Sequence, residues 1–199
     1  GGKSSRMGVA KGLLKYRQTF WILEQLQRLE KTAISDVFIG LGHDYDAYFS
    51  AIPWLNEALN SPVNFGRLPI RVAINKKPEL GPFSTLQTVL EKVPRQNDFL
   101  VGPVDIPLPK SEEIDLIIAT KSHISLPAYN NKHGHPIKVA ASLWHGFINI
   151  NPLSADARLD YQIKAIDSEL IKTVSLENLD ILLNLNSVQA WKSFIKKEK

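Results

Sequence analysis

The feature that most constrains this chain is a glycine-led polar loop at its N-terminus. Residues 1–14 read GGKSSRMGVAKGLL, so an arginine and a lysine stand at fixed offsets just before an apolar helical pattern. Backbone N–H groups freed by Gly1, Gly2, Ser4 and Ser5 can converge on phosphate oxygens, and a helix N-terminus behind them would add a favourable dipole. The pattern predicts a phosphate cradle, and its alternative is a solvated surface turn.

Two cations of this loop have the chemistry that a nucleoside triphosphate requires. Arg6 carries a forked guanidinium and Lys11 a mobile ammonium. Both groups can spread the negative charge of a triphosphate, which is where phosphoryl and nucleotidyl transfer need most of their stabilisation. We therefore predict that Arg6 and Lys11 bind the nucleotide and take part in catalysis.

Composition limits the class of protein to which the chain can belong. Its 199 residues are 44% hydrophobic and 22% charged, without an apolar run long enough to span a bilayer, so we expect one domain and no membrane partner. The absence of cysteine excludes a disulfide framework, a thiolate metal site and a cysteine nucleophile. It also fits a reducing compartment, for which a cytoplasmic location is the default expectation.

The net charge of +4 does not by itself indicate a nucleic-acid partner. Basic residues are spread along the chain, and the densest run, 196–199, lies in the C-terminal tail. Aromatic and basic residues do not interleave in the way that stacks single-stranded bases. We interpret the excess charge as solvated lysine and expect no nucleic-acid partner.

Helical and strand periods alternate along the chain, which is typical of a mostly parallel sheet covered on both faces. A polar turn at 130–134, flanked by apolar segments, predicts a β-hairpin excursion. We expect an α/β, Rossmann-like three-layer fold with ligands bound beyond the carboxyl ends of the strands. The predicted strands are 36–42, 69–75, 97–104 and 171–175, and the predicted helices are 19–32, 46–59 with a break at Pro53, 82–93, 112–120, 143–148, 159–166 and one from about 187.

A second candidate for chemistry is Asp105, which lies between Pro103 and Pro107 at the end of an apolar segment. Its carboxylate is a hard oxygen ligand, and Mg²⁺ in nucleotide sites takes one or two carboxylates together with phosphate oxygens and water. The alternatives are an N-cap for the helix at 112–120 or a turn-forming residue. Several residues separate Asp105 from that helix, which weakens the N-cap alternative.

The N-terminal loop resembles the L-A-G-G-x-S-x-R-M-G-x-x-K signature of the molybdenum cofactor nucleotidyltransferases. The segment from Gly1 to Gly8, including Lys3, falls on this signature, and so does Lys11. The resemblance implies that Gly1, Gly2, Lys3, Ser4, Ser5, Arg6 and Lys11 bind the nucleotide. It also implies a fold of the nucleotide-diphospho-sugar transferase type and a single nucleotidyltransferase domain over 1–199. In that family the signature follows a central strand, so we expect the first N-terminal strand to be missing from this sequence.

Three further segments are similar to the same family. Pro103-Val104-Asp105-Ile106-Pro107 matches its P-V-D-x-P segment, which implies that Asp105 holds the metal. Asn75 and the following 81–86 segment resemble the part that contacts the nucleoside, and this implies that Asn75, Gly81 and Ser84 bind the nucleotide. Gly134-His135-Pro136 matches a G-H-P segment facing the acceptor, so His135 is the expected acceptor-binding residue.

His133 and His135 stand two residues apart and could also form a metal pair, but a zinc site would want two further ligands, for which the sequence shows no evident partner. Hydrogen bonding or phosphate contact by His135 is the favoured interpretation.

A last match lies at 183–187, where LNLNS resembles the N-I-N-T-P-E segment of the guanylyl branch. The resemblance implies that Asn186 completes the metal or triphosphate site as a neutral oxygen ligand, weaker than a carboxylate. The alternative is an N-cap of the terminal helix, a role that Ser187 could also take, and Val188 replaces the family proline. The initial double glycine favours guanylyl transfer and the G-H-P segment cytidylyl transfer, so the base stays open between GTP and CTP.

Together these segments imply a Mg²⁺-dependent nucleotidyltransferase. The expected partners are a nucleoside triphosphate and a phosphorylated small-molecule acceptor, molybdopterin or the molybdenum cofactor, with a molybdoenzyme or cofactor-insertion protein as a further expectation. The alternatives are a sugar- or alditol-phosphate nucleotidyltransferase and a non-catalytic nucleotide-binding protein.

Overall fold

The computed structural model describes residues 8–197, and its first half alternates short strands with helices. A 3-10 turn over Lys11–Leu13 precedes the first strand. The elements that follow are β1 (Lys15–Tyr16), β2 (Thr19–Phe20), α1 (Trp21–Glu30), β3 (Val37–Leu41), α2 (Tyr45–Ala51), α3 (Trp54–Glu57), β4 (Val63–Phe65), β5 (Leu68–Ile74) and α4 (Pro82–Leu90).

The second half contains the predicted hairpin and ends on a helix. Its elements are β6 (Phe99–Val101), α5 (Ser111–Ala119), β7 (Ile124–Tyr129), β8 (Lys132–His133), β9 (Ile137–Val139), α6 (Ala141–Trp144), α7 (Leu159–Lys164), β10 (Ile171–Ser175) and α8 (Val188–Lys197). No helix within residues 8–197 is both long enough and apolar enough to cross a membrane.

The described strands belong to three sheets, whose pairings are more mixed than the sequence pattern predicts. One sheet has the order β3-β5-β4, another the order β10-β7-β9-β6 with β8 paired to β7, and β1 pairs with β2 alone. Among the described strands, parallel pairing is confined to β3–β5 and β10–β7. The other pairings are antiparallel; those of β1–β2, β4–β5 and β7–β8 join strands that follow each other through short turns.

Most predicted elements are confirmed. The helix α1 lies inside the predicted 19–32, the break at Pro53 separates α2 from α3, and the hairpin turns at Asn130 and Asn131, which both have positive φ angles. The predicted strand 97–104 is much shorter than expected, because Gly102 and Pro103 end it and Pro103 has no N–H to donate.

The helix expected behind the phosphate loop, α1, does not follow Lys11 directly. The 3-10 turn at Lys11–Leu13 leads instead into the β1–β2 hairpin, and the first α-helix begins only at Trp21. The apolar residues that indicated a helix pack into two different clusters, since Leu14 lies in the cluster that contains Trp21 whereas Leu13 packs against the cluster that contains Ile22.

Candidate functional site

Three predicted site residues from distant parts of the chain meet at one point. The Lys11 Nζ donates a hydrogen bond to Oδ2 of Asp105 at 2.7 Å and another to Oδ1 of Asn186. These pairs are separated by 94 and 175 positions in the sequence. The side chains of Lys11 and Asp105 are only 24% and 17% exposed, so their ion pair is partly shielded from water.

Lys11 is held in place by its neighbour Gly12. The N–H of Gly12 donates to the Tyr48 hydroxyl at 3.0 Å, and a Cβ at Gly12 would stand only 2.7 Å from that oxygen. Burial raises the pKa of Tyr48 to about 12, so the hydroxyl stays neutral at ordinary pH. Glycine is therefore required here for close approach to Tyr48, which fixes the turn that presents Lys11.

Asp105 lies in the loop that joins β6 to α5, residues 102–110, which we call the Asp105 loop. One face of α1 holds the backbone of this loop. The Trp21 Nε1 donates to the carbonyl of Val104 at 2.6 Å, and the Gln25 Nε2 donates to the carbonyl of Ile106 at 3.1 Å. The sequence reasoning missed these residues, although a tryptophan and a buried-face glutamine at helical spacing are the signal that could have found them.

Asn186 is brought to the site by contacts on both sides of it. The N–H of Leu185 donates to the carbonyl of Asp105 at 2.8 Å. Behind it, α8 packs through an aromatic cluster, which consists of Tyr16, Trp21, Trp191 and Phe194.

The N-cap of α8, which the sequence allowed for either Asn186 or Ser187, is Ser187. The Ser187 Oγ accepts a hydrogen bond from the N–H of Ala190 at 3.1 Å, which is the contact of a helix N-cap. The Asn186 side chain is directed instead to Lys11, so the geometry separates the two residues that the sequence could not distinguish.

Asn75, Gly81 and Ser84 form a second group, in the connection between β5 and α4. The Asn75 Nδ2 donates to the hydroxyls of Ser84 and Thr85 at 2.8 and 3.0 Å, and its Oδ1 accepts from the N–H of Lys77 at 2.9 Å. Gly81 has a φ of +94° with open space where a Cβ would stand, a conformation that favours glycine. The buried Asn75 amide thus orders the connection, and its binding to a nucleotide stays a prediction.

A cavity of about 390 Å³ adjoins this connection. It lies at the carboxyl ends of the parallel strands β3 and β5, which is where open α/β sheets bind ligands. Its lining consists of Gly42, His43, Tyr45, Ile74, Asn75, Lys76 and Pro78.

His135 lies between the hairpin and the end of β6. Its N–H donates to the carbonyl of Ile181 at 3.2 Å, and its Nδ1 stands 3.5 Å from the carbonyl of Val101. Burial lowers the pKa of His135, so the ring is neutral at ordinary pH. A neutral imidazole can form a hydrogen bond with an anionic acceptor but cannot neutralise its charge. Its assignment as the acceptor-binding residue stays a prediction.

His133 does not share a ligand position with His135. Its Nε2 pairs with the Thr173 hydroxyl at 3.2 Å across the sheet. Within the described residues, 8–197, no group of three or more His, Cys, Asp or Glu side chains is arranged to hold a metal ion.

The predicted phosphate-binding residues Gly1, Gly2, Lys3, Ser4, Ser5 and Arg6 lie outside the described residues. The donor set at the described site fits a hard divalent cation. A carboxylate of Asp105 and an amide oxygen of Asn186 converge on one positive charge, the Lys11 ammonium, and oxygens of these kinds are the ligands that Mg²⁺ and Mn²⁺ take.

Comparison with known families and structures identifies the relatives of this chain. A family model described as the MobA-like NTP transferase domain matches residues 1–166. A search of curated proteins finds no significant sequence match.

Three solved structures illustrate the shared fold. A nucleotidyl transferase from Methanothermobacter thermautotrophicus has a TM-score of 0.76 at 15% identity, covering 98% of this chain and 93% of that one. Rv0371c of Mycobacterium tuberculosis H37Rv, in complex with manganese, has a TM-score of 0.70 at 15% identity, covering 96% and 94%. The molybdopterin-guanine dinucleotide biosynthesis protein A of Archaeoglobus fulgidus has a TM-score of 0.66 at 15% identity, covering 100% and 96%. The fold is of the nucleotide-diphospho-sugar transferase type, as the sequence predicts.

Proposed function

Since this chain belongs to the MobA-like NTP transferase domain family, we propose that it transfers a nucleoside monophosphate from GTP or CTP to a phosphate-bearing acceptor and releases pyrophosphate. The acceptor proposed is molybdopterin or the molybdenum cofactor. The observation that carries the proposal is the meeting of Lys11, Asp105 and Asn186 at one partly buried point.

The reaction is a direct in-line displacement. A phosphate oxygen of the acceptor forms a bond to the α-phosphorus, the bond from that phosphorus to the oxygen bridging to the β-phosphate breaks, and pyrophosphate leaves with the electron pair. A phosphate monoester is largely ionised near neutral pH, so no general base is needed. The protein's task is then positioning and the neutralisation of charge.

Lys11 supplies the mobile positive charge for this task. Before ligands bind, its ammonium is held by Asp105 and Asn186 at the point where the turn fixed by Gly12 presents it. Binding of the divalent ion to these two oxygens would release the ammonium to the triphosphate. In the proposed reaction the ammonium neutralises the charge that shifts to pyrophosphate, and Arg6 adds a second cation from the N-terminal loop.

Asp105 and Asn186 are the residues that would hold Mg²⁺. The bound ion would neutralise phosphate oxygens and make the α-phosphorus a better electrophile. A manganese complex of Rv0371c supports the use of a divalent cation by this fold.

The cavity beside β3 and β5 is the proposed site for the base and ribose. Asn75 lines this cavity and is held by its hydrogen bond to Ser84, and Gly81 leaves open space at the start of α4. His135, whose ring lies beside the carbonyl of Val101 at the end of β6, is proposed to contact the acceptor as a neutral hydrogen-bonding group.

Pyrophosphate release tests the function directly. The protein is incubated with Mg²⁺, each of the four nucleoside triphosphates in turn, and molybdopterin or its molybdenum-loaded form, and pyrophosphate is measured. Release with GTP or CTP alone is the expected result, and it also identifies the base. Release only with a sugar or alditol phosphate would assign a different acceptor. Nucleotide binding without pyrophosphate release in the presence of any acceptor would contradict the enzymatic function and support a non-catalytic nucleotide-binding protein.

A further inference from the structure

The Asp105 loop is rich in proline and therefore poor in the N–H groups that normally hold a loop. Pro103, Pro107 and Pro109 all lack a backbone donor. Proline still has a backbone carbonyl oxygen, so such a loop has more acceptors than donors. When these carbonyls are buried, their hydrogen bonds must come from donors outside the loop. The structure shows that α1 supplies them.

Three side chains on one face of α1 reach alternate carbonyls of the loop. Trp21 Nε1 donates to Val104, Gln25 Nε2 to Ile106, and Arg28 Nη1 to Leu108, at 2.6, 3.1 and 3.0 Å. The donors are spaced four and three residues apart, as required for side chains on one face of a helix.

Gln25 is the central member of this set. Its Nε2 binds the carbonyl of Ile106, and its Oε1 stands 3.4 Å from the N–H of Leu108, so one amide contacts the loop with both of its ends. The residue is only 7% exposed, and a buried amide of this kind has a single satisfied orientation. Asp105 itself lies between the two carbonyls that Trp21 and Gln25 hold.

We propose that Gln25 is a positioning residue for the reaction, and that with Trp21 and Arg28 it sets the place of the Asp105 carboxylate by holding the backbone on both sides of it. The inference rests on the proposed function, because it assigns to Gln25 the support of a proposed metal ligand. Asp105 cannot shift toward solvent without breaking the bond to Val104 or the bond to Ile106. A metal ligand held in this way is preorganised before the ion and the nucleotide arrive.

The chain offers a matched control in Gln87 on α4. This glutamine is also buried, at 8% exposure, and its Nε2 also donates to backbone carbonyls, those of Phe147 and Ile150, both at 2.8 Å. Those carbonyls lie in a segment that holds none of the proposed site residues. Gln87→Met and Gln25→Met thus remove similar buried hydrogen bonds from two different loops.

The test is a Mn²⁺ titration followed by electron paramagnetic resonance, with the protein in excess over a nucleoside triphosphate whose α,β-bridging oxygen is replaced by methylene, so that little free nucleotide competes for the ion. Gln25→Met is expected to weaken Mn²⁺ binding by at least about tenfold, the usual effect of losing a group that supports a metal ligand. Gln87→Met should lose comparable thermal stability and bind Mn²⁺ as the wild type does. Equal Mn²⁺ affinity of the two variants would overturn the inference.

Two further variants separate the possible failures. Asp105→Asn should lose most Mn²⁺ binding in the same titration; wild-type binding by this variant would overturn both the proposed metal role and the inference. Loss with Asp105→Asn but not with Gln25→Met would overturn the inference alone. If Gln25→Met does not fold, Arg28→Lys replaces it, and unchanged Mn²⁺ affinity in this milder variant would count against the positioning role.

Discussion

Lys11 is bonded to the same two oxygens that we propose for the divalent cation. Its ammonium therefore acts as an internal counter-cation, which keeps Asp105 and Asn186 together before a ligand is bound. When a divalent ion takes these oxygens, the ammonium becomes available to the triphosphate. One lysine would thus stabilise the empty site and neutralise the substrate in the filled one.

Lys11→Ala is expected to have opposite effects on catalysis and on metal binding. Transition-state stabilisation, measured as kcat/KM for pyrophosphate release, should fall by about 2–4 kcal/mol, as for the loss of an oxyanion donor. Mn²⁺ affinity without nucleotide should rise, because the competing ammonium is gone. Lys15→Ala, an exposed lysine of the same segment, is the control. Wild-type turnover would refute the catalytic role of Lys11, and unchanged Mn²⁺ affinity would refute its role as counter-cation.

Gly12→Ala is expected to destabilise the protein by overpacking. The new methyl group would stand 2.7 Å from the Tyr48 hydroxyl oxygen and 2.9 Å from Cε1, so the ring would have to shift. The free energy of unfolding, measured by chemical denaturation, should fall by about 1–3 kcal/mol. Gly146→Ala, where a Cβ meets nothing within 4 Å, should be close to neutral. Equal effects of the two substitutions would argue against the close contact.

At the scale of elements, two helices determine where the site residues lie. The helix α1 holds the Asp105 loop, and α8 places Asn186 through the aromatic cluster, in which Trp21 and Trp191 have ring centroids 5.3 Å apart. Trp21 belongs to both contacts, so a shift of α8 against α1 is transmitted to the carbonyl of Val104.

Trp191→Phe is expected to weaken metal binding as well as stability. It reduces the packing of α8 against Trp21 and Phe194, so unfolding should become easier by roughly 1–2 kcal/mol and Mn²⁺ affinity should fall. Trp144→Phe makes the same chemical change at a fully buried tryptophan of another cluster. That control should lose stability without loss of Mn²⁺ affinity, and a parallel loss in both variants would contradict the role of α8.

At the scale of the whole molecule, the sheet that contains β6, β7 and β9 joins the hairpin to the Asp105 loop. The N–H of Gly134 donates to the carbonyl of Pro127 at 2.8 Å, and a Cβ at Gly134 would overlap the carbonyl of Ile181. The segment before His135 therefore packs directly on the chain that leads to α8. His135 is therefore half-buried between the hairpin, the end of β6 and the chain that leads to α8. Its pKa in the folded protein depends on the packing of these three segments.

The stability of the protein should fall as the pH falls below about 6.5. Burial lowers the pKa of His135 in the folded state, so between that lowered value and 6.5 the unfolded chain binds a proton that the folded protein does not. The free energy of unfolding thus decreases through this window and levels off below the folded pKa. Chemical denaturation between pH 7.5 and 5 should show a weaker dependence for His135→Gln than for the wild type. Identical slopes would contradict the assignment.

Much of the fold can be predicted from this sequence because its signals are local. The apolar spacing over 19–32 predicts α1, and the polar turn at 130–134 predicts the hairpin. The exception is the segment after Lys11, where apolar residues indicate a helix and the structure has a 3-10 turn and the β1–β2 hairpin. Periodicity indicates which residues face the interior there, but Leu14 is buried in one cluster and the half-buried Leu13 packs against another, so the two neighbours do not share one helical face.

Motifs and apolar periods indicate the family, most of the helices and strands, and the residue types proposed for the site, because these signals depend on neighbours along the chain. Three features become visible in the folded chain alone: Lys11 bridges Asp105 and Asn186, Ser187 rather than Asn186 caps α8, and Gln25 faces the Asp105 loop. The contacts of Lys11 and Gln25 join residues far apart in sequence. Asn186 and Ser187 are adjacent residues that are both good N-caps, so their sequence does not distinguish them. Packing of the helices against the strands and loops selects among such alternatives, because each buried donor must find its acceptor in three dimensions.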